Sequence, residues 1–203
     1  MKSRVLPSLI LALLLSLSGI VAAAPEIGQP APGFNVIDTQ GQMHSLSDFA
    51  GQTVVLEWTN HECPFVVKHY EPGNMQMQQR IAREEHDAVW LTIISSREGE
   101  QGHVSPEEAD ELTASRNAFP TAVLLDESGD MGRAFDARVT PHMYIIDADG
   151  ILVYMGGIDS NPSANSDDIP GATQYVMVAL EEMAAGLPIS NPVTRPYGCT
   201  IKY

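Results

Sequence analysis

Cysteine is scarce, with two residues in a chain of 203. Two thiols cannot build a multi-bridge disulfide framework; they leave one bridge or one redox pair. Cations are scarce as well: 11 Lys and Arg stand against 26 Asp and Glu, for a formal charge of -15. A surface that negative repels phosphate backbones and argues against nucleic acid as a partner. Internal repeats, glycine–proline tracts and coiled-coil heptads are missing, which excludes solenoids, collagen-like fibres and long rods. What is plentiful is apolar: 44% of the residues, enough to fill the core of one domain at this length.

The longest apolar run opens the chain. Lys2 and Arg4 give it a positive flank, Val5 to Val21 carry it, and Ala22, Ala23 and Ala24 close it. That is the pattern of a cleaved secretory signal peptide, with the cut expected after Ala23 and residues 1–23 removed. An uncleaved anchor is the alternative, but the run is short for a span and ends in small residues. No Cys follows it, so a lipid-modified N-terminus is unsupported. The mature chain loses Lys2 and Arg4 and carries -17. It is expected to be periplasmic or secreted, without stable membrane insertion, in a compartment where disulfides persist.

Strand and helix signals alternate along the rest. Phe34 to Ile37 and Gln42 to His44 read as a hairpin, followed by a short capped turn at Ser45 to Asp48. Thr53 to Trp58, Ala88 to Ile94 and Ala122 to Leu125 are apolar runs of the kind buried in a sheet. A helix is expected after Pro64, broken at Pro72-Gly73. Another starts at Ser105-Pro106-Glu107-Glu108 with a capping box. Tyr144 to Asp147 and Ile151 to Tyr154 flank the turn Ala148-Asp149-Gly150. Ala172 to Met183 is amphipathic. Asp159 to Pro170 is polar and expected to be mobile. The order predicts a mixed sheet with helices on both faces over 24–188, then a tail, 189–203, that carries the second cysteine.

Cys63 gathers the chemistry. It follows a central strand and precedes Pro64, which suits the first position of a helix. A thiol there faces the positive end of the helix dipole and free backbone N–H groups, and both favour thiolate. His61, if protonated, would add to this, and Glu62 would oppose it. The plainer alternative is an inert buried cysteine.

The run from Trp58 through Cys63-Pro64 into a helix, with Val139-Thr140-Pro141 ahead of a strand, resembles a thioredoxin-fold site. In that fold a cis proline packs against the active-site sulfur. The resemblance narrows with Trp58-Thr59-Asn60-His61-Glu62-Cys63-Pro64-Phe65-Val66-Val67-Lys68-His69, the run Asp147 to Tyr154, and Tyr197-Gly198-Cys199-Thr200-Ile201-Lys202. These resemble the peroxiredoxin-like (redoxin, AhpC/TSA-like) branch of the thioredoxin superfamily, over about Ile27 to Tyr203. Glu62 looks like an insertion in the family segment. The resemblance implies an α/β thioredoxin-like fold, with a mixed central sheet flanked by helices, an N-terminal β-hairpin extension and a C-terminal tail. It also implies a cofactor-free thiol oxidoreductase or antioxidant activity. On this basis Cys63 is the attacking thiolate and Thr140 and Pro141 shape the substrate groove. Pro64, Trp58, Asn60 and His61 support the site.

The departures separate the subclasses. Val66 stands where a thioredoxin has its second Cys. The peroxiredoxin pattern Pro-x-x-x-Thr-x-x-Cys fails at Leu56 and Asn60, with Thr59 one residue off. Pro141 stands where the peroxidase Arg would be, leaving Arg138 or Arg133 to reach in. Cys199, 136 residues after Cys63, is a candidate resolving thiol. A structural bridge and a free buried thiol remain open. Its docking is expected through Ile201 and Tyr203 against Pro64 and Phe65. Copper binding by Cys63 with His61, His69, His103 and His142 is the non-enzymatic alternative. Against it, His69 is expected on a helix surface and His103 in a solvated loop. The reading is an exported thiol–disulfide oxidoreductase with an external thiol reductant, acting on protein disulfides, or a thiol peroxidase acting on hydroperoxides.

Overall fold

The computed structural model describes residues 24–203; the expected signal peptide, 1–23, lies outside the described residues. A short hairpin, β1 (Asn35–Ile37) and β2 (Met43–Ser45), stands apart as a two-stranded ladder. The fully buried run β3 (Val54–Trp58) is the middle strand of the main sheet. β4 (Val89–Ile94) and β5 (Ala122–Leu125) continue the sheet in parallel on one side. β7 (His142–Ile146) and β8 (Leu152–Gly156) continue it antiparallel on the other, giving the order β5-β4-β3-β7-β8. This is the mixed sheet that the alternation of elements predicts.

Side chains of β3 alternate between two cores, as a period of two requires. Val55 faces a core filled by α1 (Pro64–Tyr70), α2 (Asn74–Glu84) and α5 (Tyr175–Ala184). Val54, Leu56 and Trp58 face the other, which takes in Val36 of the hairpin, Phe135 and, from the tail, Ile201. A third, smaller cluster lies under α3 (Pro106–Ser115), whose Ser105–Glu108 capping box forms as expected. The chain breaks between α1 and α2 at Gly73, which caps α2 with φ of 82°, a backbone state open to glycine at little cost.

Glu57 interrupts the apolar logic. It is fully buried among the helices, and four donors converge on its carboxylate: Tyr70 Oη at 2.7 Å, Trp90 Nε1 at 2.9 Å, Thr92 Oγ1 at 3.1 Å and Gln79 Nε2 at 3.2 Å. Burial pushes its pKa up; the donors pull against it.

Two features depart from expectation, while the helix after β5 follows the expected alternation of elements. The turn at Asp126 to Gly129 leads into α4 (Asp130–Ala134), because the Asp126 carboxylate accepts the N–H groups of Met131 at 3.1 Å and Gly132 at 2.9 Å. The polar stretch 159–170 is tethered: Asp159 is buried, and Ser166–Gly171 winds into a 3-10 turn. The tail is not irregular throughout: β9 (Cys199–Thr200) pairs antiparallel with β6 (Val139–Thr140).

Trp58 packs on Phe135 at 5.4 Å and Tyr144 at 5.1 Å, and its indole donates to Ser95 Oγ at 3.0 Å. Trp58→Ala should therefore cost about 3–5 kcal/mol of stability in a urea titration. A loss below about 1 kcal/mol would contradict this packing.

Candidate active site

The end of β3 feeds a tight loop that delivers Cys63. Thr59 N–H bonds Ile93 C=O at 3.0 Å, the last tie to the sheet. Asn60 then shapes the turn: its Oδ1 accepts Glu62 N–H at 2.9 Å and its carbonyl accepts Cys63 N–H at 3.0 Å. Glu62 fastens the loop from outside by accepting Gly102 N–H at 2.9 Å. Cys63 is the N-cap of α1 with Pro64 at the first position. Its side chain makes no cap hydrogen bond; its carbonyl takes the Val66 and Val67 N–H groups, each at 2.9 Å. The helix start therefore does not offer Sγ the free N–H groups expected from sequence.

Two other backbone groups meet the sulfur. Cys63 Sγ donates to Thr140 C=O at 3.2 Å, and Cys199 N–H donates to Cys63 Sγ at 3.3 Å. The Thr140–Pro141 bond is cis, and Thr140 lies opposite Cys199 in the β6–β9 ladder. Cys63, Thr140, Pro141 and Cys199 thus come together from three segments of the chain. Cys63 is wholly buried, whereas Cys199 is partly exposed, and both are free thiols. The Cys199 thiol is pushed up to about 12, by burial first and then by its hydrogen bond to Cys63 and the charge there.

Gly198 makes this approach possible. Its φ is 138°, and a Cβ there would lie 1.9 Å from Thr140 C=O. The residues around it anchor the tail differently from expectation. Ile201 enters the core on the Trp58 face, and Tyr203 donates to Ala137 C=O at 2.7 Å. Neither packs beside Pro64 and Phe65. Phe65 instead meets Tyr197 edge-on, ring centroids 5.7 Å apart.

The other predicted residues are scattered. Trp58 lies in the opposite core from Cys63, so it supports the sheet and does not line the groove. Pro64 is exposed beside Cys63. His61 lines a cleft of about 650 Å³ with Tyr70, Arg80 and Arg116, and the lining contains neither cysteine. Burial lowers the His61 pKa, with Glu62 opposing, so the cationic help expected from it is weakened. Arg138 is paired with Asp136 at 3.1 Å, and Arg133 bonds Ser128 C=O at 2.6 Å; neither is bonded to Cys63.

The copper alternative loses its ligand set. His142 is buried against Tyr144 Oη at 3.1 Å, and His103 lies 3.9 Å from Glu127. Among the described residues no group of three or more His, Cys, Asp and Glu converges on one point. His69 is not on the helix surface: it is buried, and Nδ1 accepts from Asn74 Nδ2 at 2.8 Å. Sequence reading missed it, along with Lys68, Asp159 and Tyr197. The one signal was a Lys-His pair in a helix whose neighbours Val66 and Tyr70 are apolar.

Gly198→Ala should raise the alkylation rate of Cys63 by about tenfold or more, since a clash worth about 1.4 kcal/mol already lifts the tail that often. An unchanged rate would contradict the close approach. Burial holds the His69 pKa down at about 4, against 6.5 for a free imidazole. Its contribution to stability is thus present above 6.5 and is lost as pH falls toward 4. Ring NMR signals should show His69 neutral at pH about 5.5, with the proton on Nε2. Titration near 6.5 would contradict its burial.

A family model described as the AhpC/TSA family matches residues 27–155. No curated protein matches the chain. An uncharacterized conserved protein from Geobacillus kaustophilus is 25% identical with a TM-score of 0.70, over 88% of this chain and 92% of its own. A hypothetical protein from Sinorhizobium meliloti is 20% identical with a TM-score of 0.72, over 89% and 96%. The thioredoxin domain of a thiol-disulfide oxidoreductase from Bacteroides vulgatus is 16% identical with a TM-score of 0.52, over 73% and 98%. The last two likenesses are of fold, and that fold is thioredoxin-like. With a match over more than half its length, a thioredoxin-like sheet and a cis proline bonded through Thr140 to Cys63, the chain belongs to the AhpC/TSA family, a redoxin branch of the thioredoxin superfamily.

Proposed function

We propose that this protein is an exported thiol–disulfide oxidoreductase that cycles between a Cys63/Cys199 dithiol and the disulfide joining them. The observation that carries the proposal is the 3.3 Å contact between Cys199 N–H and Cys63 Sγ, across 136 residues of chain. With Val66 where a second local thiol would stand, Cys199 is the protein thiol within reach.

In the first step the Cys63 thiolate attacks one sulfur of a substrate disulfide. A mixed disulfide forms and the other substrate sulfur leaves as thiolate, taking a proton from solvent. Cys199 then attacks Cys63 Sγ, the Cys63–Cys199 bond forms, and the second substrate thiol leaves. Two electrons have passed to the substrate. An external dithiol or two monothiols return the pair to the reduced state.

The electrostatics support this division of labour. Before the attack, burial and then the neighbouring Cys63 thiolate keep Cys199 protonated, with its pKa at about 12. Once Cys63 is tied up in a mixed disulfide, its charge is gone and so is its hydrogen bond. Cys199 then ionises more easily, at the moment it is needed as a nucleophile. Export rests on the pattern of residues 1–23.

A second reading has its own observation. Cys63 is wholly buried, so a small hydroperoxide reaches it more readily than a protein disulfide does. In that reading Cys63 becomes a sulfenic acid as the peroxide O–O bond breaks, and Cys199 condenses with it, releasing water. Against it, the loop lacks the peroxiredoxin pattern, and Arg133 and Arg138 are engaged elsewhere.

The test compares both substrates across two variants. The parent is expected to reduce a model disulfide and to consume hydrogen peroxide slowly. Cys63→Ser should abolish turnover. Cys199→Ser should accumulate a mixed disulfide on Cys63, visible by mass spectrometry. Peroxide turnover outrunning disulfide turnover would favour the second reading. Full turnover by Cys199→Ser would overturn the pairing.

A further inference from the structure

Behind the tail lies a charged cluster with no outlet to solvent. Lys68 and Asp159 form an ion pair at 3.0 Å with neither side chain exposed. Tyr197 Oη enters between them. It donates to Asp159 Oδ1 and receives Lys68 Nζ–H at 3.2 Å. His69 Nε2 lies 3.2 Å from the same oxygen. Because Asn74 Nδ2 donates to His69 Nδ1 at 2.8 Å, the proton of the neutral imidazole is on Nε2, and Nε2–H donates to the hydroxyl. One hydroxyl thus gives one hydrogen bond and accepts two, which fills its capacity. Lys68 is completed by Asn161 C=O at 2.8 Å.

The placement of this cluster matters more than its strength. A buried ion pair adds little net stability, because desolvation offsets the attraction; what it supplies is a single orientation. Tyr197 stands two residues before Cys199, with Gly198 between them pressed against Thr140. Its ring meets Phe65, two residues after Cys63. Phe65, Lys68 and His69 all belong to α1, the helix that Cys63 caps. One short helix therefore carries both the nucleophile and the socket for the tail.

We propose that Tyr197, seated in the Lys68–Asp159–His69 socket, is a positioning residue that sets the effective concentration of Cys199 at Cys63 and thereby the redox potential of the pair. This rests on the reading that the two cysteines form a redox pair. With Tyr197 seated, the dithiol already holds the tail where the disulfide needs it, so little chain freedom is lost on oxidation. With the hydroxyl gone, the dithiol gains that freedom and the disulfide becomes easier to reduce.

The test is a glutathione redox titration of the full mature protein, followed by intact mass. It compares the parent with Tyr197→Phe and Tyr154→Phe. Tyr154 is the control: its buried hydroxyl bonds Thr194 Oγ1 at 2.7 Å, five residues ahead of Cys199, outside the socket. Tyr197→Phe is expected to lower the effective concentration about tenfold, the factor carried by one charge-assisted hydrogen bond lost from a docked segment. That moves the potential up by about 30 mV for a two-electron couple. Tyr154→Phe should shift it less than about twofold, whatever either variant does to thermal stability. Equal shifts in both variants, or none in Tyr197→Phe, would overturn the proposal. A parent that never loses two hydrogens would overturn the redox-pair reading itself, and this inference with it. If Tyr197→Phe does not fold, amide exchange in the reduced parent decides. Protection of the Cys199 and Ile201 amides is expected, and rapid exchange of both would overturn the docked tail.

Discussion

The sulfur of Cys63 is held between the Thr140 carbonyl and the Cys199 amide, and the architecture around it serves that contact. The sheet sets one side. β3 runs parallel to β4 and antiparallel to β7, so its end and the start of β7 meet at the same edge, bringing the Cys63 loop and the cis Thr140–Pro141 peptide together. The tail sets the other side by adding β9 to β6. A local dithiol needs only a turn of helix to bring its sulfurs together. This pair needs the whole fold, since its members lie 136 residues apart in the chain.

Burial then distinguishes two otherwise equivalent thiols. The wholly buried Cys63 sits at a helix start and accepts an N–H, while the partly exposed Cys199 is held protonated by its surroundings. In the proposed reaction a protein disulfide reaches the buried Cys63 as the segment after Tyr197 moves aside. The points that oppose such movement are specific: Gly198 against Thr140, Ile201 in the core, and Tyr203 on Ala137.

Much of this was legible in the sequence because it rests on local rules. The apolar run at Val54–Trp58, the Ser105 capping box, the break at Pro72-Gly73 and the proline after Cys63 each act within a few residues. The family resemblance added the partnership of Cys63, Thr140, Pro141 and the tail. What was not legible depends on distant partners. Lys68 and His69 look like a solvated pair on a short helix until Asp159 and Tyr197, about 90 and 130 residues away, supply their buried partners. Trp58 is adjacent to the active loop in sequence, but strand alternation turns it to the far side of the sheet. His61 is two residues from Cys63, yet it faces the cleft beyond α1.

The most direct measurement of the central claim is peptide mapping of the parent protein after equilibration with oxidised and then reduced dithiothreitol. The expected result is one reversible bridge joining the peptide of Cys63 to that of Cys199 within a single chain. Two thiols that stay free under oxidation, or a bridge between two chains, would contradict it.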